Sequence, residues 1–337
     1  MSTHDALIAA LPKAELHLHL EGSLEPEQLM EFAARNKVDI PFKTLDEVKA
    51  AYEFSNLQDF LDIYYQGMSV LQTEQDFHDL TDAYLQRSHA DNVRHVEVFF
   101  DPQGHTERGL DFDVPIRGIL SALDNAKEKY GISYRLIMCF LRHLSEEDAF
   151  TTFEQAQPWL PRIHGIGLDS SEVGHPPTKF TNIYAAAKLK GLKLVAHAGE
   201  EGPPGYVWEA LNELNVDRID HGNRSLEDDM LVKRLVDEQM TLTVCPLSNL
   251  SLCVVNDLAA HPLKRMLQLG LRATVNSDDP AYFGGYLNEN YRQIAEALKL
   301  SADDIVTLAR NSFMGAFMDE AQRAEHLAAV EDIARYY

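Results

Sequence analysis

Apolar residues recur along this chain in two alternating textures. Eight short runs, rich in β-branched and large apolar residues, have the length of strands. They fall at residues 14–20 (AELHLHL), 94–100 (RHVEVFF), 134–140 (YRLIMCF), 164–168 (HGIGL), 193–197 (KLVAH), 218–221 (RIDH), 241–245 (TLTVC) and 272–276 (RATVN). Amphipathic stretches of helical period separate the later runs, at 182–190, 208–214, 226–239 and 260–269, with Gly191 and Gly270 as stop signals. Further helical patterns fill 286–300, 302–313 and 320–336. Strands alternating with helices predict a parallel sheet with right-handed crossovers. Eight in succession favour an α/β fold of the closed (β/α)8 TIM-barrel type over an open sheet. Residues 23–92 carry helical patterns and no strand, so they read as a helical insertion after the first strand that roofs the barrel mouth. The helices after the eighth run are C-terminal additions. No linker or low-complexity segment divides the chain, and residues 1–337 are expected to form one domain.

A barrel carries its chemistry at the C-terminal ends of its strands. The first run ends in His17-Leu18-His19, and residues two apart on a strand share a face. The fifth ends in His197-Ala198-Gly199-Glu200, the sixth in Asp220-His221, and the eighth runs into Ser277-Asp278-Asp279-Pro280. Each has a bland reading alone: polar residues on a strand, a histidine bonding a carbonyl, or a Ser-Asp-Asp-Pro turn. Together, four strand ends carry metal-type or acid–base residues to one mouth. Three histidines and an aspartate form a set that zinc accepts. Glu200, His221 and Asp279 are then left for proton transfer and substrate contact.

Charge narrows the partners. With 30 basic and 53 acidic residues the formal net charge is −23, so nucleic acid and anionic membrane surfaces are excluded as expected partners. The three cysteines (Cys139, Cys245 and Cys253) make no disulfide framework. With no secretory or membrane-spanning run, the expectation is a cytoplasmic protein acting on a small molecule. Whether the chain forms a homo-oligomer is left open.

The motifs His17-Leu-His19, His197-Ala-Gly-Glu200, Asp220-His221-Gly222 and Ser277-Asp278-Asp279-Pro280 resemble, in this order, the adenosine/adenine deaminase group of the amidohydrolase superfamily. The resemblance runs from about residue 11 to the C-terminus. It implies a barrel with one catalytic zinc held by His17, His19, His197 and Asp278. No lysine ends the fourth run, where dinuclear relatives place a bridging carboxylated lysine. The implied chemistry is hydrolytic deamination at a purine C6. Zinc supplies a nucleophile at neutral pH, Glu200 protonates N1, His221 orients and activates the water, and Asp279 holds the base through N7. The cytidine-deaminase pattern is absent, since Cys245-Pro246 is in the wrong order and lacks a second cysteine.

The segment after the fourth run, Asp169-Ser170-Ser171-Glu172, resembles the adenine-deaminase branch; adenosine deaminases have glycine at the last position. Asp169, Ser171 and Glu172 are therefore expected to bind substrate, with Glu172 accepting a hydrogen bond from N9–H of the free base and crowding the ribose site. Its alternative is a helix cap or a surface position. The expected reaction is adenine to hypoxanthine and ammonia. The alternatives are adenosine deamination, deamination of N6-substituted adenines, an ester- or lactone-cleaving amidohydrolase, and a barrel that kept the fold without catalysis. Phe54, Phe60, Tyr64 and Tyr65 in the insertion are expected to be mostly core, with one or two covering the purine. Trp159 and Trp208 are expected to pack helices.

Overall fold

The computed structural model describes residues 3–337. All eight expected strands form: β1 (Lys13–His19), β2 (Val93–Phe100), β3 (Ser133–Leu141), β4 (Gly165–Asp169), β5 (Lys193–Ala198), β6 (Arg218–His221), β7 (Thr241–Val244) and β8 (Arg272–Val275). Each pairs in parallel with the next, in the order β1 to β8. The strands are buried almost along their whole length, because helices cover the outer face and side chains fill the interior. This double burial is why they read as continuous apolar runs.

The ring closes where β1 meets the segment after β8. The Asp278 amide donates to the His17 carbonyl at 3.1 Å, and the His19 amide donates to the Asp278 carbonyl at 2.9 Å. The Leu16 amide donates to Asn276 Oδ1 at 2.9 Å. Strand β1 is irregular here. Glu15 pairs with Val96 and Leu18 with Val98, so β1 spends one residue more than its neighbour. Such a bulge re-aims the side chains that follow it. The bonds that close the barrel thus also set His17 and His19 beside Asp278.

The insertion is helical as expected. After the N-terminal α1 (Thr3–Ala10) and β1 come α2 (Pro26–Asn36), α3 (Leu45–Ala50), α4 (Leu57–Met68) and α5 (Glu74–Ala90). Asn56 and Thr73 start the last two by accepting hydrogen bonds from the amides of Asp59 and Asp76. Helix α4 buries Phe60, Leu61, Tyr64 and Met68 on one side. They join the same apolar cluster as the barrel residues Leu16 and Val98.

Later helices differ from expectation at their ends. The pattern at 208–214 spans the end of an α-helix, Pro204–Glu209, and a π-helical turn, Ala210–Leu214. The pattern at 226–239 becomes Asp229–Asp237, because the Asp228 carboxylate accepts from the amides of Met230 and Leu231 and starts the helix there. Gly191 and Gly270 take φ of 78° and 82°, the left-handed conformation that ends helices cheaply only at glycine. Both tryptophans serve packing: their indole N–H groups donate to Asp113 and Asp228. Cys139 and Cys245 are buried thiols. Among the described residues no helix is long and apolar enough to cross a membrane.

Candidate active site

Four strand ends bring their imidazoles and carboxylates together as expected. His19 Nε2 lies 3.1 Å from His197 Nε2 and 3.3 Å from Asp278 Oδ1, and His17 Nε2 lies 3.1 Å from the same Asp278 oxygen. Ligands on a tetrahedral zinc with bonds of 2.0–2.1 Å stand about 3.3 Å apart, so these spacings fit one ion. His221 also reaches the cluster, but its Nε2 is 3.8 Å from Asp278 and 3.5 Å from Glu200. His17, His197, His221 and Asp278 offer atoms that all lie within 4.8 Å of one another, and His19 joins this cluster through His197 and Asp278.

Residues behind the cluster set its chemistry. The Thr243 hydroxyl donates to Asp220 Oδ1 at 2.8 Å, so it accepts from His17 Nδ1–H at 2.9 Å. This tautomer leaves the His17 Nε2 lone pair free, and that buried atom has no hydrogen-bond partner. Asp220 also stands 3.8 Å from His197 Nδ1. On the other flank Asp169 Oδ2 is 3.4 Å from His19 Nδ1. Burial and the neighbouring His17 hold His197 well below the ordinary imidazole pKa, and the same causes take His221 down to about 3. Burial opposes ionisation of Asp278, but His17 and the other imidazoles outweigh it and hold its pKa well below the usual range. His19 differs from His197 and His221: burial lowers its pKa, but Asp279, Asp169 and Asp278 outweigh this and raise it well above the ordinary imidazole value. Imidazoles gathered around an ionised carboxylate are a donor set that suits a divalent cation, which binds them in the deprotonated form.

Glu200 and Asp279 show the opposite behaviour. Burial, then the charges of Asp278 and Glu172, raise the Glu200 carboxyl well above its usual value. Burial raises Asp279 as well, against His19 and with Asp278. Both line one narrow cavity together with His19, His197, His221 and Asp278. The loop holding Asp278 and Asp279 is anchored from below. Glu15 accepts from the Ser277 amide at 3.0 Å and from its hydroxyl, and Tyr84 donates to the other carboxylate oxygen at 2.7 Å.

The segment after β4 departs from the sequence expectation. Glu172 does not line the cavity and is completely buried. Its carboxylate accepts three backbone N–H bonds from the loop after β5, from Gly199, Glu201 and Gly202. The expected contact with N9–H is not formed by a carboxylate so engaged. Ser171 faces away from the cavity too; its hydroxyl donates to Gln58 Oε1 on α4 at 2.9 Å. The neighbouring Ser170 lines the cavity instead, at φ 75°. Asp169 lines the wall as expected, and the contact it makes is with His19.

Helix α4 roofs the site through Leu57, Phe60, Leu61, Tyr64 and Tyr65, so more of the aromatic cluster covers the cavity than expected. Tyr64 donates to Asp101 Oδ2 at 3.1 Å and Tyr65 to Ser170 Oγ at 2.9 Å, which tie the roof to the loops after β2 and β4. Asp101 was not anticipated, although it directly follows β2 and the strand-end rule that found the other acids applies to it. Arg142, directly after β3, is the other such residue. Its guanidinium donates to the carbonyls of His197 at 2.6 Å and His175 at 2.9 Å.

Known proteins resemble this chain over nearly its whole length. A family model described as adenosine deaminase matches residues 12–333. An adenine deaminase of Sphingopyxis alaskensis is 67% identical over 329 residues, covering 98% of this chain and 96% of that protein. The crystal structure of an adenine deaminase from Arthrobacter aurescens superposes with a TM-score of 0.95 at 49% identity, covering 97% of this chain and 100% of that one. An amidohydrolase from Burkholderia ambifaria, solved with bound zinc, gives a TM-score of 0.92 at 27% identity, covering 100% of this chain and 94% of that one. With a matching family model over nearly its whole length and relatives of this identity, the chain belongs to the adenosine deaminase family, on the branch of the adenine deaminases.

Proposed function

We propose that this chain hydrolytically deaminates adenine to hypoxanthine and ammonia, as a step of purine salvage, with one zinc ion held by His17, His19, His197 and Asp278. The names of its relatives support the substrate, and the donor spacing supports the metal. Bound there, zinc makes a water nucleophile available at neutral pH. Glu200, kept protonated by burial, gives its proton to N1 and makes C6 electrophilic. His221, neutral and 3.5 Å from Glu200, orients the attacking water. Asp279, also kept protonated by burial, donates to N7. The roof of α4 excludes bulk water and leaves a narrow slot.

The observation that carries this reading is the pairing of Glu200 with Asp279. Two buried acids, both of which burial pushes toward the protonated form, line one narrow cavity together with His19, His197, His221 and Asp278. A 6-aminopurine presents two acceptors, N1 and N7, on either side of the carbon to be attacked. The test is ammonia release from adenine, adenosine and N6-methyladenine by purified enzyme of measured metal content. The expected result is adenine as the substrate with the highest kcat/KM, at one zinc per chain. A preference for adenosine would overturn the substrate assignment, and full activity without metal would overturn the zinc.

A further inference from the structure

The buried Glu172 carboxylate contacts neither the cavity nor the histidine–aspartate cluster. Its hydrogen bonds all go to a different loop. Oε1 accepts from the Gly199 amide at 2.7 Å, and Oε2 accepts from the amides of Glu201 and Gly202, both at 2.8 Å. One of these amides precedes Glu200 in the chain and two follow it. We infer that Glu172 is a positioning residue for Glu200: a buried carboxylate that clamps the backbone on both sides of the proton donor and so fixes where its carboxyl meets the base.

The surroundings are built for this contact. A Cβ at Gly202 would sit 2.6 Å from Glu172 Oε1, so the loop approaches the carboxylate as closely as only glycine allows. Gly199 turns at φ 74°, a left-handed conformation that glycine takes without strain, and its amide donates to Glu172. The other side of the frame is Arg142, also completely buried. It holds the His197 carbonyl just before the clamped loop and the His175 carbonyl just after Glu172. The His175 amide in turn donates to the Glu172 carbonyl at 3.0 Å. Three backbone amides satisfy a carboxylate that would otherwise be costly to bury. A cap on its own helix would be spent on local amides, whereas this carboxylate reaches 27 to 30 residues along the chain.

The inference rests on Glu200 as the proton donor, and the experiment separates the two ideas. E172Q is nearly isosteric, yet its amide nitrogen cannot accept from a backbone N–H, so at least one of the three bonds is lost. Adenine kinetics, zinc content and thermal unfolding are measured for wild type, E172Q, E200Q and the double variant E172Q/E200Q. A positioning role predicts that E172Q lowers kcat by ~10- to 100-fold, changes KM by less than ~3-fold, and retains zinc. It also predicts strong non-additivity: once Glu200 is gone, E172Q should cost little more, as for residues that act as a unit. A raised KM with unchanged kcat would overturn the clamp in favour of a base contact. Losses that multiply in the double variant would overturn it in favour of a general structural role. An E200Q enzyme as active as wild type would overturn the acid assignment, and the clamp with it. E172D, which keeps the charge but shortens the reach, serves as a second variant if E172Q does not fold, with the same pattern expected against E172D/E200Q.

Discussion

The tautomer of His17 depends on one hydroxyl, and T243V removes it with little change of shape. In the native arrangement the proton order is set from the outside: Thr243 donates to Asp220 at 2.8 Å and receives from His17 Nδ1–H at 2.9 Å. Valine leaves the Nδ1–H and one Asp220 oxygen, 3.8 Å apart, without their shared partner. All three side chains are buried, so water does not readily replace the hydroxyl. A buried polar group left unpaired costs about 1–3 kcal/mol, or roughly 5- to 150-fold in an equilibrium constant. Since the relay holds the imidazole in its metal-binding form, part of that cost should appear as weaker zinc binding. Loss of an outer hydrogen-bond partner typically weakens metal affinity by about 10- to 100-fold, so the two estimates agree. Competition with a chromophoric chelator at pH 7 measures the dissociation constant directly, and the expected change is an increase of about tenfold or more. Activity should return when zinc is supplied in excess. Zinc affinity equal to wild type would refute the reasoning, showing that Asp220 orients His17 without the hydroxyl.

Three other outcomes follow from the geometry. E200Q keeps the shape but has no carboxyl proton for N1, so kcat for adenine should fall by at least ~10²-fold with zinc retained, and near-native turnover would rule Glu200 out as the acid. A Cβ added at Gly22 would lie 2.0 Å from Asp279 Oδ1 and 2.6 Å from its Cβ; G22A should therefore displace Asp279 and raise KM for adenine with zinc unchanged, and an unaltered KM would remove Asp279 from base binding. In the barrel floor, burial pushes the Glu97 carboxyl up, but Arg218 and His95 more than reverse this and bring it to about 2. Because this lies below the usual 4.5, the stabilisation is fully present above about pH 4.5 and is lost as pH falls toward 2. R218M should cost about 3–5 kcal/mol in urea unfolding at pH 7 and less at pH 3, and an equal loss at both values would contradict the pairing.

The architecture was legible because a parallel barrel buries its strands on both faces, and this leaves eight apolar runs that need no tertiary knowledge to see. The gathering of the candidate ligands at one mouth was legible for a related reason. A barrel puts its chemistry at strand ends, so His17, His19, His197 and Asp278 could be assigned to one mouth before any distance was known. Pairing across the chain was not legible. Glu172 follows β4 and looks like a residue facing the base, but its partners are amides 27 to 30 residues later, and backbone amides carry no mark of which carboxylate will find them. The exchange of Ser171 for Ser170 has a conformational cause: Ser170 sits at φ 75°, where serine has no strong sequence preference, and that turn decides which hydroxyl enters the cavity. His221 and Asp278 share the same left-handed region, with φ of 66° and 63°. Local propensity disfavours all three, and the closed barrel and its loops hold them there. The sequence by itself determined which elements form and which side chains stand at the mouth, through burial and period. Only the tertiary structure decided which of those side chains face the cavity and which are consumed in holding its walls, because that depends on hydrogen bonds between loops that meet only when the ring closes.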